Sequence, residues 1–271
     1  MYKSQPWEGG AGSKRGAAYI FERNQSGTDS WGQVTKLVAS EAEDTAYFGS
    51  GVAISGDTVV VGANGEDSGS SNRGAAYVFE RNQYGADSWG QVKRLTASDA
   101  QDEDWFGNAV AISGDTVVVG AFREDGGVGG NNRGAAYVFE RNRGGTDSWG
   151  QVQKLSALDA ENHDSFGYAV AISRDTVVVG AYREGGAGTD RGAAYVFARN
   201  QGGPDSWGQV KKLTASDAAD SDYFGYAVAI SGDTVVVGAY LVEDAAGKDR
   251  GAAYVFERNQ GGADSWGQVT K

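Results

Sequence analysis

The sequence predicts an all-β fold built from repeated four-stranded antiparallel sheets, and three observations lead there. One unit, reading approximately RGAAYVFERNQGGADSWGQVKKLTASDAADSDYFGYAVAISGDTVVVGA, recurs along the chain with its arginine at Arg15, Arg73, Arg133, Arg191 and Arg250. The 271 residues include 43 glycines and two prolines, Pro6 and Pro204, which suits short strands joined by tight turns that need positive φ. Each unit holds four apolar stretches rich in valine, tyrosine and phenylalanine, none with helical spacing. A repeat that cannot bury its own apolar face stacks on its neighbours, so the units share one array instead of forming two separate domains.

In the fourth copy, strand A is FGYAVAIS (166–173), strand B is DTVVVGAY (175–182), strand C is GAAYVFAR (192–199) and strand D is SWGQVKKL (206–213). Strands A and B are apolar on both faces, small alanines alternating with Val170 and Ile172, which requires cover on both sides. Strand D carries Gln209, Lys211 and Lys212 and reads as a solvated outer edge. A sheet buried at one side and polar at the other, stacked radially, is the blade of a β-propeller. The chain therefore reads as one repeat domain, 1–271, with four complete blades and an extra N-terminal C–D hairpin. A partial loop or leader occupies 1–14 and a half-blade 15–37, followed by blades at 48–96, 106–155, 166–213 and 224–271.

The arginines are spaced by 58, 60, 58 and 59 residues, and every insertion maps to the B–C loop, which has nine, eleven, nine and ten residues at 64–72, 122–132, 182–190 and 240–249. In an up-and-down meander this loop emerges on the same face as the D–A connection. A variable loop on a rigid scaffold is either a place where binding evolves or a surface segment that tolerates drift. The A–B turn, Ser-Gly-Asp-Thr at 55–58, 113–116 and 231–234, reads as a two-residue hairpin loop. The fourth copy has Arg174 in the glycine's place, so it either accepts strain or adopts a turn without positive φ there.

A formal charge of −12 disfavours nucleic acid and anionic membranes as partners, because phosphates need a basic surface. No stretch approaches the roughly 20 apolar residues of a membrane-spanning helix, so membrane insertion is not expected. The start, MYKSQPWEGG, lacks the apolar core of a secretory signal, and the absence of cysteine removes disulfides and thiolate metal sites.

Phe-Gly at the head of strand A, Gly-Ala at the foot of strand B and the RGAAYVF that follows carry a family likeness. Phe106-Gly107 with Gly120-Ala121, Phe166-Gly167 with Gly180-Ala181, and the corresponding pairs at 48 and 62 and at 224 and 238 resemble the FG-GAP repeat of integrin α-subunit propellers and their bacterial and algal relatives, over residues 15–271. The resemblance implies one blade per repeat and an extracellular or cell-surface adhesion or recognition role. Integrin-type repeats also carry a calcium loop between strands A and B. Here that turn offers one aspartate per copy (Asp57, Asp115, Asp175, Asp233), too few oxygens for a six- to eight-coordinate cage, so no metal or other cofactor is expected.

The D–A connections are acidic in every copy: Glu41, Glu43 and Asp44; Asp99, Asp102, Glu103 and Asp104; Asp159, Glu161 and Asp164; Asp217, Asp220 and Asp222. They form either a surface for a cation or basic ligand or a solvated loop that keeps the protein soluble. Arginines flank strand C in every copy, which suggests a structural task such as pairing with a neighbouring aspartate. The tryptophan of Asp-Ser-Trp-Gly (Trp31, Trp89, Trp149, Trp207, Trp266) suits sugar stacking or packing between blades, with packing favoured. Trp105 breaks the symmetry, since the other copies have Tyr47, Ser165 and Tyr223 there. His163, the single histidine, reads as solvated.

No nucleophile–base pair, P-loop or zinc signature is present, and a repeated constellation argues against an active site. The sequence thus reads as a non-catalytic binding, adhesion or recognition module displaying loops to a protein or glycan ligand. Its candidate contacts are Trp105, Arg123, Glu124, Tyr182, Arg183, Tyr240 and Glu243. The rivals are a self-assembling scaffold or filament subunit, and a carbohydrate-active enzyme using carboxylates from different blades. Five C–D hairpins against four A–B pairs leave one hairpin in surplus. Either the C-terminal hairpin completes the last blade and 15–37 takes a fifth radial position, or the N-terminal hairpin closes a four-bladed ring, or the unpaired strand edge joins another chain.

Overall fold

The computed structural model describes residues 2–5, 14–25, 27–41, 43–66, 72–124, 132–185, 188–244, 247–262 and 264–271. The middles of the elastic B–C loops lie outside the described residues. Among those described there is no helix, and the strands form five antiparallel sheets. The first sheet holds β1 (Tyr2–Gln5), β2 (Ala17–Arg23) and β3 (Trp31–Leu37). The second holds β4 (Phe48–Ser55), β5 (Thr58–Ala63), β6 (Ala75–Arg81) and β7 (Trp89–Leu95). The third holds β8 (Ala109–Ser113), β9 (Thr116–Ala121), β10 (Ala135–Arg141) and β11 (Trp149–Leu155). The fourth holds β12 (Phe166–Ser173), β13 (Thr176–Ala181), β14 (Ala193–Arg199) and β15 (Trp207–Leu213), and the fifth β16 (Phe224–Ser231), β17 (Thr234–Ala239), β18 (Ala252–Arg258) and β19 (Trp266–Thr270).

Each four-stranded sheet is a meander in the order A-B-C-D. The contiguous hairpin β18–β19 completes the last sheet, so the N-terminal hairpin takes a fifth radial position. Residues 2–5 add a third strand to it: β1 pairs with β2 where strand B stands elsewhere, Gln5 opposite Ala17 as Ala63 is opposite Ala75. The A–B turns are two-residue loops, and Arg174 accepts the strained conformation, with φ of 54° against 56°, 57° and 56° at Gly56, Gly114 and Gly232.

The core lies between sheets. Trp149 is 2% exposed and sits with Tyr137 and Phe139 of its own sheet against Val60, Ala76 and Val78 of the preceding one. Trp207 and Trp266 repeat this, which settles their role as packing. The motif glycines explain the close approach. A Cβ on Gly120 would lie 2.0 Å from the Gly167 carbonyl oxygen of the next sheet, and one on Gly134 would lie 2.0 Å from that of Phe166. The Phe166 amide donates to the Arg133 carbonyl at 2.9 Å, closing a parallel bridge between blades. Phe-Gly, Gly-Ala and Arg-Gly are therefore one backbone stitch, contributed by two neighbouring sheets.

The arginines ending strand C clamp the opposite end of each interface. Arg141 donates from Nε to Asp115 of its own A–B turn at 2.8 Å, from Nη1 to Glu80 of the preceding sheet at 2.5 Å and from Nη2 to Thr58 Oγ1 at 3.0 Å. Its guanidinium also lies over Trp149. Arg199 repeats the set with Asp175, Glu140 and Thr116. The turn aspartates are thus committed to guanidinium groups.

The array is open. Substantial packing joins consecutive sheets only, and among the described residues nothing comparable joins the fifth sheet to the first. Trp31 is accordingly 51% exposed, while Val236, Ala253 and Val255 are partly or fully exposed where Val178, Ala194 and Val196 are enclosed.

Candidate functional site

Three positions per repeat converge on the loop face: the residue before Phe-Gly, the residue after it, and the residue after Gly-Ala. The second is placed there by a bulge. In β12 the ladder skips from Phe166 opposite Ala181 to Ala169 opposite Gly180, so Gly167 turns at φ 90° and Tyr168 leaves the pleat. In the second sheet they are Tyr47, Ser50 and Asn64, and Asn64 Nδ2 donates to Asn108 Oδ1 at 3.2 Å. From the third sheet onward all but Asn108 and Ser165 are aromatic.

The result is a ribbon of seven rings crossing three blades. Trp105 meets Phe122 edge-on at 5.8 Å, Phe122 meets Tyr168 at 5.3 Å, and Tyr168 contacts both Tyr182 (4.4 Å) and Tyr226 (5.0 Å). Tyr226 continues to Tyr240 at 4.4 Å, and Tyr240 stacks on Tyr223 at 5.4 Å. Arg123 caps one end, 4.5 Å above the Trp105 ring, and Arg183 lies over Tyr182. Burial pushes the Tyr168 hydroxyl up, as does its hydrogen bond with Tyr226, so it stays protonated across the physiological range.

Of the candidate contacts, Trp105, Arg123, Tyr182, Arg183 and Tyr240 lie in or beside the ribbon. Glu124 does not: it is buried, with Lys154 Nζ 2.8 Å away. Glu243 is exposed in the last B–C loop, where its backbone bridges to Asp249. Phe122, Tyr168, Tyr223 and Tyr226 were missed by the sequence reading. The signal was Tyr168 and Tyr226 standing where other copies carry Ser50 and Asn108.

Several carboxylates of the acidic connections are paired with cations of the protein while remaining about half exposed. Asp99 takes Lys154 at 2.6 Å and Asp159 takes Lys212 at 2.6 Å, each lysine reaching back from the next sheet. Asp44, Asp102 and Asp220 accept from Arg15, Arg73 and Arg191 at 2.9, 2.9 and 2.8 Å. Among the described residues no group of three or more His, Asp or Glu side chains is placed to hold a metal.

One of these carboxylates titrates unusually. Burial pushes Asp164 up to about 6, reinforced by Glu184 and opposed by the Glu161 amide, which donates to it at 2.7 Å. Its folded-state value exceeds the ordinary 3.8, so the fold gains stability from Asp164 as pH falls from about 6 to 4 and loses it above. Asp99 and Asp159 behave oppositely. Burial works to raise them, but Lys154 and Lys212 hold them low, so their support is lost only below the ordinary carboxylate range. Asp164→Asn is therefore expected to be more stable than the wild type by ~1–3 kcal/mol at pH 8, with the difference vanishing near pH ~4. Urea midpoints measured across that range check this, and a pH-independent difference would refute it.

The fold and its repeat are those of a propeller-type module of the binding and recognition class. The chain belongs to the FG-GAP repeat family, whose repeat matches residues 31–79, 89–139, 149–197 and 207–256. Each match runs from the Trp opening strand D to the last Phe of strand C in the next sheet, so the family's unit is an interface between blades. No curated protein matches the chain significantly.

Proposed function

We propose that the chain is a non-catalytic recognition module of an extracellular or cell-surface setting and that its aromatic ribbon binds a glycan. One observation carries the reading: rings in continuous contact, with hydroxyls at the edges and an arginine over each of Trp105 and Tyr182, form an extended face on which sugar rings stack. Tyr226 and Tyr240, 38% and 46% exposed, are the accessible centre. Glycan-array screening followed by calorimetry tests this. Tyr226→Ala is expected to weaken the bound glycan roughly fivefold or more without unfolding the protein, since an aromatic ring contact is worth about 1 kcal/mol. Retained affinity in Tyr226→Ala, or no glycan bound at all, sinks the reading.

A second reading, head-to-tail association of copies, is favoured by the end sheets. Trp31 and the partly or fully exposed Val236, Ala253 and Val255 correspond to the two halves of the interior interfaces filled by Trp149, Trp207 and Trp266. Arg23 and Glu257 stand where Arg141 and Glu80 form the clamp. Mass measured against concentration should rise for the wild type and stay monomeric for R23E or E257R alone. It should rise again when the two variants are mixed, because each mixed contact then joins opposite charges. A wild type monomeric at every concentration excludes this reading.

A further inference from the structure

At the interface between the fourth and fifth sheets two positions, 174 and 198, depart from the repeat, and both line one cavity. At three interfaces the clamp arginine meets a glutamate on the preceding sheet: Arg81 with Glu22, Arg141 with Glu80, and Arg199 with Glu140. At the fourth, Arg258 faces Ala198 instead. Arg258 Nη2 still donates to Thr176 Oγ1 at 2.9 Å and Nε lies 2.8 Å from Asp233, but Nη1 has no partner among the described residues. Here a pocket of about 390 Å³ has Arg258, Ala198, Trp266 and Arg174 in its lining, together with Asp175, Asp233 and Asp264, of which Asp175 and Asp233 are paired with Arg199 and Arg258. That volume lies within the ~300–1,000 Å³ of ordinary small-molecule sites.

Arg174 is the second difference. It replaces the turn glycine of the other copies and holds φ at 54°, a conformation that disfavours any side chain. Strain of this kind persists where the surroundings impose it, and it gathers at binding sites. Loss of the glutamate and gain of the arginine make the local charge more positive by two in a chain whose net charge is −12.

We propose that this cavity binds a carboxylate, seated on Arg258 as the carboxylate of Glu80 is seated on Arg141. The template lies in the same molecule: Glu80 Oε1 accepts from Arg141 Nη1 at 2.5 Å and from Trp149 Nε1 at 3.4 Å, and Arg258 and Trp266 are the corresponding donors. The ligand class is a small organic acid, either free or as the carboxylate of a uronic sugar. The site opens beside the A–B and C–D turns, at the other end of the sheets from the ribbon, and does not depend on glycan binding there.

The test is thermal unfolding and calorimetry with propionate and with glucuronate, each against chloride at equal ionic strength. Wild-type protein should show a saturable rise in Tm with at least one of them, and the tighter of the two identifies the source as a simple acid or a sugar acid. Ala198→Glu supplies the missing carboxylate in place, so it should fold normally and lose the effect. Arg174→Gly, which restores the residue of the other copies, should weaken binding at least about tenfold, the scale of a lost charged hydrogen bond. A carboxylate response no larger than that to chloride overturns the proposal, as does unchanged binding in Ala198→Glu.

Discussion

Gly180→Ala is expected to destabilise the fold by about 3 kcal/mol, while the same change at Gly238 shifts stability by less than about 0.5 kcal/mol. The two glycines hold identical places in identical strands, TVVVGA in β13 and in β17. What differs is the neighbour. A Cβ on Gly180 would lie 2.0 Å from the carbonyl oxygen of Gly225, a backbone atom fixed in the next sheet, so the whole interface must move. On Gly238 the nearest atoms are the Ala227 Cβ at 3.5 Å and its carbonyl oxygen at 3.8 Å, ordinary contacts. Neither glycine has a positive φ, so backbone strain does not enter. Urea unfolding of the two variants reads the comparison directly, and equal effects would mean that glycine is needed there for chain flexibility and not for close approach.

That contrast also shows what can be read from one dimension. Strand boundaries, the meander and the two-residue A–B turns were legible because each is a local pattern of period two with turn residues between, repeated so that chance matches cancel. The site was legible only in part. Tyr168 sits inside an apolar run and reads as a strand-face residue. It joins the ribbon only because the Gly167 bulge lifts it out of the ladder, and nothing in the local alternation marks that skip. The pairing of the acidic connections was hidden for a related reason. Their carboxylates are visible together, but the cations that neutralise them come from 29 residues on the other side, as for Arg73 and Asp102, or from 55 residues on, as for Lys154 and Asp99. Glu124 was misplaced by the same arithmetic, its lysine lying 30 residues away on β11. Charge seen locally is net charge only when the fold brings no partner.

Arg141→Met should cost about 3–5 kcal/mol, and Arg258→Met much less, about 1 kcal/mol. Methionine keeps an apolar stem over the tryptophan in both, so lost packing contributes little to the difference. In the first case Glu80, with 15% of its side chain exposed, is left as an uncompensated carboxylate between two sheets, and the Thr58 hydroxyl loses its donor. In the second there is no glutamate to strand. Ala198 stands in its place, and Asp233, with 72% of its side chain exposed, is left to water. The double variant Glu80→Gln/Arg141→Met should recover most of the loss, because removing both charges removes the desolvated carboxylate that made the single change costly. Chemical unfolding of the four proteins in that cycle decides the point. A double variant no more stable than Arg141→Met alone would show that the arginine acts through its cover of Trp149 and its bond to Thr58, and that the recurring Arg–Glu pair across the blades is incidental to stability.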